Sequence, residues 1–97
     1  MELLILYTYF SCQNPLMKDE EIILRVDPEI SVEMLDEDYL NWLYPEYQTI
    51  SDLGDYQFRI GPRLYEFDSE DQSLNTSLKI GKFRTTCSEI SEYDLPN

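Results

Sequence analysis

The sequence contains no histidine, and this absence removes the commonest catalytic base and the commonest zinc ligand. Catalytic triads built on histidine are therefore excluded. Glycine is also scarce, and none of the three glycines lies in the glycine-rich string that a phosphate-binding loop needs. The calcium-binding loop with its turn glycine and terminal glutamate is missing as well. We therefore expect no enzyme, no cofactor and no metal site, and we assign no catalytic residue.

Cysteine is rare too, since Cys12 and Cys87 are the only two. Two cysteines are too few for a disulfide scaffold, and we expect a pair of free thiols in a reducing cytoplasm. The apolar run at residues 3–10 follows Glu2, without the basic region and cleavage site of a signal peptide. It is also too short to span a bilayer. These features predict a protein of the host cell cytoplasm.

Basic residues are few compared with acidic ones. The chain has 7 Lys and Arg and 20 Asp and Glu, which gives a net charge of −13. Residues 19–55 hold twelve of the acids and a single base, Arg25, so this segment carries a net charge of −11. Such a field repels nucleic acid and anionic membranes and attracts basic protein surfaces. The charge therefore indicates a basic partner.

Apolar content argues that this acidic chain is folded. Apolar residues make up 42% of its 97 residues and aromatic residues 13%. Disordered acidic chains have few of either. We expect one small domain over residues 1–97, with residues 85–97 as a flexible polar tail.

Most of the predicted elements are strands. Residues 3–10 and 21–26 predict two antiparallel strands joined by a turn over residues 11–20. Residues 56–60 and 63–67 alternate around Gly61-Pro62 as a hairpin. Residues 68–76 are polar and predict a loop, and residues 77–84 predict a further strand.

One amphipathic helix is expected between the strand pairs. Val32, Leu35, Tyr39 and Trp42 recur at spacings of three and four, with Pro45 as the stop. Carboxylates four residues apart would occupy the opposite face. The predicted fold is α+β, a single antiparallel sheet of about four or five strands with this acidic helix on one face.

The function that we predict is that of a DNA mimic. Carboxylates one helical turn apart are spaced about 6 Å along the axis, the length scale of successive phosphates. Small acidic phage and mobile-element proteins use such surfaces to occupy the nucleic-acid-binding groove of a basic host protein. A histone-like chromosome protein is favoured, because it holds DNA by shape and charge alone. The predicted partner-binding carboxylates are Asp27, Glu29, Glu33, Asp36, Glu37, Asp38, Glu46, Asp52 and Asp55.

An acidic adaptor or antitoxin-like module is the alternative, and it would recognise one basic partner through tyrosine and tryptophan hot spots without imitating DNA. In either case we expect no direct binding of nucleic acid or membrane. The aromatic content exceeds what a sheet covered by one helix can easily hide, which predicts a homodimer.

Overall fold

A computed structural model describes residues 7–17, 19–27, 31–50 and 55–96. Nine antiparallel strands form one sheet that curls into a half-barrel, and no described residue lies in an α-helix. A short 3-10 turn, Glu92–Asp94, follows the last strand. The strands are β1 Thr8–Gln13, β2 Glu21–Asp27, β3 Ser31–Leu35, β4 Trp42–Leu43, β5 Tyr47–Ile50, β6 Asp55–Ile60, β7 Arg63–Asp68, β8 Ser73–Leu78 and β9 Gly81–Ile90.

The sheet consists of two meanders joined at the first and last strands. Its strand order is β4-β3-β2-β1-β9-β8-β7-β6-β5, so β1 and β9 lie side by side at the centre. Consecutive strands pair as hairpins within β1–β4 and within β5–β9, whereas β4 and β5 end the strand order on opposite sides and β1 pairs with the distant β9. The predicted fold of four or five strands plus a helix is therefore wrong.

The first hairpin was correctly predicted. β2 begins at Glu21 as expected and pairs antiparallel with β1, with Phe10 opposite Leu24. Residues 3–6 of the predicted first strand lie outside the described residues, and the strand that is described continues to Gln13. Alternate side chains, including Phe10, Leu24 and Val26, point into the core.

The predicted helix is replaced by strands β3 and β4 and the turn between them. Val32 and Met34 are both buried in the core, so this segment follows a period of two rather than 3.6. Trp42 lies opposite Leu35 in the register of β3 and β4. Over so short a segment, the same apolar residues fit both the helical spacing and the alternation of a strand. The pairing of β3 with β2 makes the segment a strand.

The hairpin predicted around Gly61-Pro62 is confirmed. Ile60 pairs with Arg63 across a two-residue turn in which Gly61 has φ of 59°. Glycine adopts this backbone conformation without a steric penalty. Tyr56, Phe58, Tyr65 and Phe67 alternate inward from the two strands and are buried in the core.

The C-terminal third contains more strand than predicted. A turn at residues 79–80 interrupts the single strand expected over 77–84, and β8 begins within the predicted polar loop. β8 is mostly polar, yet Leu74 and Thr76 are buried on its inner side. β9 extends to Ile90, so the segment predicted as a tail includes the end of a central strand.

The core contains a disulfide between Cys12 of β1 and Cys87 of β9. The two residues are directly opposite, with Cα atoms 4.0 Å apart. Each is almost completely buried. The expectation of free thiols is therefore wrong, because sequence separation hides the adjacency of the first and last strands. The bond joins the two meanders at the centre of the sheet.

Candidate functional site

Two acidic connections lie together at one end of the first meander. The β1–β2 loop at residues 14–20 and the β3–β4 turn at residues 36–41 share this end because consecutive antiparallel strands reverse direction. We call the resulting surface the acidic end. Its carboxylates are Asp19, Glu20, Glu21, Asp36, Glu37 and Asp38.

Asp36 fixes the β3–β4 turn. Its carboxylate accepts hydrogen bonds from the Leu40 backbone N–H at 2.9 Å and from Asn41 Nδ2 at 3.1 Å. The Leu40 bond, followed by the Asn41 bonds, lowers the pKa of Asp36 below its ordinary value, although partial desolvation opposes the shift. The Asp36 backbone N–H also donates to the Asn41 carbonyl at 2.9 Å. Asp36 is therefore ionised at neutral pH and holds the turn.

Tyr39 joins this turn to strand β2. Its φ of 58° lies in the left-handed region, where a bulky residue is strained. The Tyr39 hydroxyl accepts a hydrogen bond from the Glu21 backbone N–H at 3.3 Å. Residues in such conformations persist only where their surroundings hold them, and they cluster at functional sites. The turn and the start of β2 are thus held together.

A groove of about 180 Å³ separates the two acidic connections. Its lower part is apolar, with Ile22, Met34 and Tyr65 almost fully buried. Leu16 and Met17 form part of its wall and are 41% and 53% exposed. Its polar lining is mostly acidic: Glu20, Glu21, Asp36 and Glu37, with Arg63 as the single base among the described lining residues.

Arg25, the one base of residues 19–55, is withdrawn from the acidic end. Its guanidinium donates through Nε and Nη2 to Glu33 Oε2, with an Nε distance of 2.8 Å. The rings of Tyr7 and Trp42 lie over it, with centroids 4.6 and 4.4 Å from Cζ. Arg25 thus neutralises a buried glutamate rather than the exposed carboxylates.

The predicted partner-binding residues are not collected on one face, because the helix expected to align them is absent. Asp27 and Glu33 are buried, with 8% and 3% exposure. Burial raises the pKa of Tyr56, and the negative charge of Asp27 raises it further. Asp27 and Glu33 are thus buried, and their role in partner binding stays a prediction.

Other predicted residues do reach the surface. Glu37 and Asp38 are exposed on the β3–β4 turn, where Asp36 is half-buried. Glu46 is exposed just before β5, and its backbone N–H donates to the Arg59 carbonyl at 2.9 Å. The structure therefore brings Asp36, Glu37 and Asp38 together and leaves Glu46 apart. Two predicted residues lie outside the described ones: Glu29 and Asp52.

Asp55 belongs to a second acidic cluster, which sequence reasoning missed. It lies directly opposite Asp68, at the end of the β6–β7 hairpin away from the Gly61-Pro62 turn. Desolvation raises the pKa of Asp55, and the charges of Asp68, Glu66 and Asp71 raise it further. Like charges directly opposite each other destabilise a sheet. Asp71 of this cluster forms an exposed ion pair with Arg84, at 3.4 Å.

The groove residues were also missed by sequence reasoning. Leu16 and Met17 lie in a segment that the sequence marks only as a turn, and Tyr39 was assigned to a helix core. A usable signal was the turn chemistry before Glu20 and Glu21, which places these acids at a hairpin end. No local pattern places Arg63 beside them, because that proximity depends on the curl of the whole sheet.

Comparisons with protein-family models, curated proteins and solved structures give no match. Across the described ranges, histidine, cysteine and acidic side chains form no group of three or more that could hold a metal ion. The same residues include no helix with the length and apolar character needed to cross a membrane.

Proposed function

We propose that this chain is a DNA mimic that occupies the nucleic-acid-binding surface of a basic host protein. The observation that carries the proposal is the acidic end, where six described carboxylates lie together and form no ion pair with a described base. Within the described part of the chain, the ion pairs are Arg25–Glu33 and Arg84–Asp71, and neither involves the acidic end. The exposed carboxylates at this end are thus available to Lys and Arg side chains of a partner: Asp19, Glu21, Glu37 and Asp38.

Strand geometry gives a second support in place of the helical spacing. Glu66 and Asp68 alternate along β7 on its outward side. Alternate residues of a strand are about 7 Å apart, again the length scale of successive phosphates. Phosphate contacts supply most of the non-specific affinity of DNA-binding proteins, so a mimic needs no imitation of the bases.

The proposed partner is a basic nucleic-acid-binding protein of the host cytoplasm, with a histone-like chromosome protein as the favoured target. Restriction or CRISPR effectors, repair enzymes and RNA polymerase carry similar basic grooves. The proposal includes homodimerisation, which would lengthen the acidic surface.

An adaptor that binds a basic partner without replacing DNA is the second candidate. Exposed apolar side chains among the carboxylates favour it, since interface hot spots combine apolar anchors with a polar rim. Leu40 is 74% exposed at the tip of the β3–β4 turn, and Leu16 and Met17 flank the groove.

Competition with DNA separates the two functions. The chain is immobilised, nuclease-treated host lysate is applied, and captured proteins are eluted with duplex DNA at constant ionic strength. A mimic releases its partner as DNA is added, whereas an adaptor forms a complex that contains both. Retardation of DNA by the purified chain alone, in a gel-shift assay at moderate salt, would contradict both candidates.

Charge-neutralised variants locate the binding surface. The triple change Asp19→Asn, Glu37→Gln and Asp38→Asn removes three exposed charges from the acidic end. A matched control removes three exposed charges near the C-terminus: Glu89→Gln, Glu92→Gln and Asp94→Asn. We expect the first variant to lose capture of the partner and the control to retain most of it. Equal losses would assign the effect to net charge and not to the acidic end.

A further inference from the structure

The groove at the acidic end combines two properties that are usually separate. Its lower part is apolar and buried, while its described polar lining contains four acids and only one base. An acidic surface that only repels or attracts by charge does not need an apolar recess. The combination indicates a ligand with both apolar and basic groups.

The size of the groove restricts what it can hold. Its volume of about 180 Å³ is below the range of roughly 300–1,000 Å³ that is usual for small-molecule and cofactor sites. One or two side chains of another protein fit a recess of this size better than a cofactor does. The wall is also held in place, because Tyr39 hydrogen-bonds to the start of β2 despite its left-handed backbone.

Exposed apolar groups mark the same place as a contact surface. Leu16 and Met17 keep 41% and 53% of their surface exposed at the groove, next to Glu20. Exposed apolar groups with a polar rim are typical of protein-interaction sites. The acidic rim then favours a partner in which basic residues flank the apolar group.

We infer that the groove binds a short peptide segment in which one aliphatic side chain is flanked by lysine or arginine. The aliphatic side chain enters between Met17 and Tyr39, and the flanking bases contact the carboxylates of Glu20 and Glu37. The basic character of the partner rests on the proposed function, whereas the aliphatic anchor goes beyond it. The groove thereby adds specificity that a charged surface alone lacks.

Synthetic peptides test this inference directly. The probe is an eight-residue peptide with a central Lys-Leu-Lys in a Gly/Ser background, and its partner peptide has Lys-Ser-Lys at the same position. Both have the same charge, so any difference in affinity comes from the leucine. We expect the leucine peptide to bind at least tenfold more tightly, in titrations followed by amide chemical shifts of the isotope-labelled chain. The largest shifts should fall on residues 16–22 and 34–39.

Two variants show whether the groove is responsible. The double change Leu16→Ser and Met17→Ser removes exposed apolar groups, so the fold should survive, and it should abolish the preference for leucine. Tyr93→Ser is the control, because Tyr93 is 90% exposed on the 3-10 turn after β9 and does not line the groove. It should leave the preference intact. Equal binding of the two peptides to the unchanged chain, or shifts confined to other surfaces, would overturn the inference.

Two further results separate this inference from its competitors. If the peptide preference holds but duplex DNA fails to release captured partners, the mimic proposal fails and the groove inference stands. If DNA releases the partners but the leucine preference is absent, the groove inference fails and the mimic proposal stands.

The other available occupant of the groove is the basic β8–β9 turn of a second copy of the chain. The double change Lys79→Glu and Lys82→Glu tests this alternative. If it dissociates a dimer, and the unchanged chain shows no leucine preference, the peptide assignment is overturned.

Discussion

Removal of the Cys12–Cys87 disulfide should cost the fold much of its stability. The bond closes a chain separation of 75 residues. In the chain-entropy description, a loop of this length stabilises the folded state by about 4.5 kcal/mol, because the cross-link restricts the unfolded chain. A domain of this size has a total free energy of unfolding of roughly 5–15 kcal/mol. Reduction should therefore leave a fold that is marginal or only moderately stable.

Urea unfolding of the oxidised and the dithiol-reduced protein measures this effect. The single tryptophan, Trp42, reports the transition by fluorescence because it packs on Arg25 in the folded state. Reduction should lower the midpoint and raise the slope of the transition, since an uncrosslinked chain exposes more surface when unfolded. The double variant Cys12→Ala with Cys87→Ala is the control, and reductant should leave its midpoint unchanged.

An unchanged midpoint on reduction would refute the reasoning, as would two free thiols in the unfolded, unreduced protein. The result also bears on the proposed site of action. Cytoplasmic glutathione and thioredoxin keep most thiols reduced. A DNA mimic of the cytoplasm must therefore stay folded without the bond, and a reduced chain that unfolds at 37 °C would place the folded form in an oxidising compartment.

Three other predictions concern charge and assembly. Glu33→Ala should destabilise the fold by about 3 kcal/mol, because it leaves Arg25 unpaired in a largely buried site, while Glu37→Ala should change the urea midpoint little. Asp55→Asn should raise the melting temperature at pH 7. The pKa of Asp55 is raised in the fold, so its ionisation opposes folding above the ordinary value of 3.8, and the gain should vanish in melts below that pH. Light scattering at high micromolar concentration should give a mass near twice 11.6 kDa, and a monomer mass would exclude the homodimer.

Local patterns predicted the two hairpins that have clear turn chemistry. The β6–β7 hairpin follows from alternation on both sides of Gly61-Pro62, and the β1–β2 pair from a polar turn between apolar runs. These signals lie within a few residues of each other. The short loop also makes antiparallel pairing the natural outcome.

The helix prediction failed because tertiary pairing overrides local propensity. Glu33, Met34 and Leu35 favour helices as individual residues, and the apolar spacing fits a helical turn. However, pairing with β2 buries Val32 and Met34 together on one side, which a helix cannot do for residues two apart. The turn that follows is held by the Asp36 carboxylate, a local competitor of helical hydrogen bonds.

The candidate site was predictable in its charge but not in its shape. Counting residues locates the acidic segment, whereas the groove needs loops from two hairpins and Arg63 from the second meander. The same limit applies to β8, whose polar sequence becomes a strand only because β7 and β9 flank it. Long-range pairing of this kind leaves little trace in a short window of sequence.

The fold also concentrates the negative charge more than the sequence suggests. Surfaces that serve only solubility intersperse charges of both signs. Here the one base of residues 19–55 is paired with Glu33 beneath two aromatic rings, so it is not available to offset the exposed acids of the segment. At the second cluster, the fold tolerates Asp55 opposite Asp68 although their repulsion opposes folding. The basic partner proposed above would relieve that repulsion. The arrangement therefore fits the proposed binding of a basic partner, at some cost to the stability of the free protein.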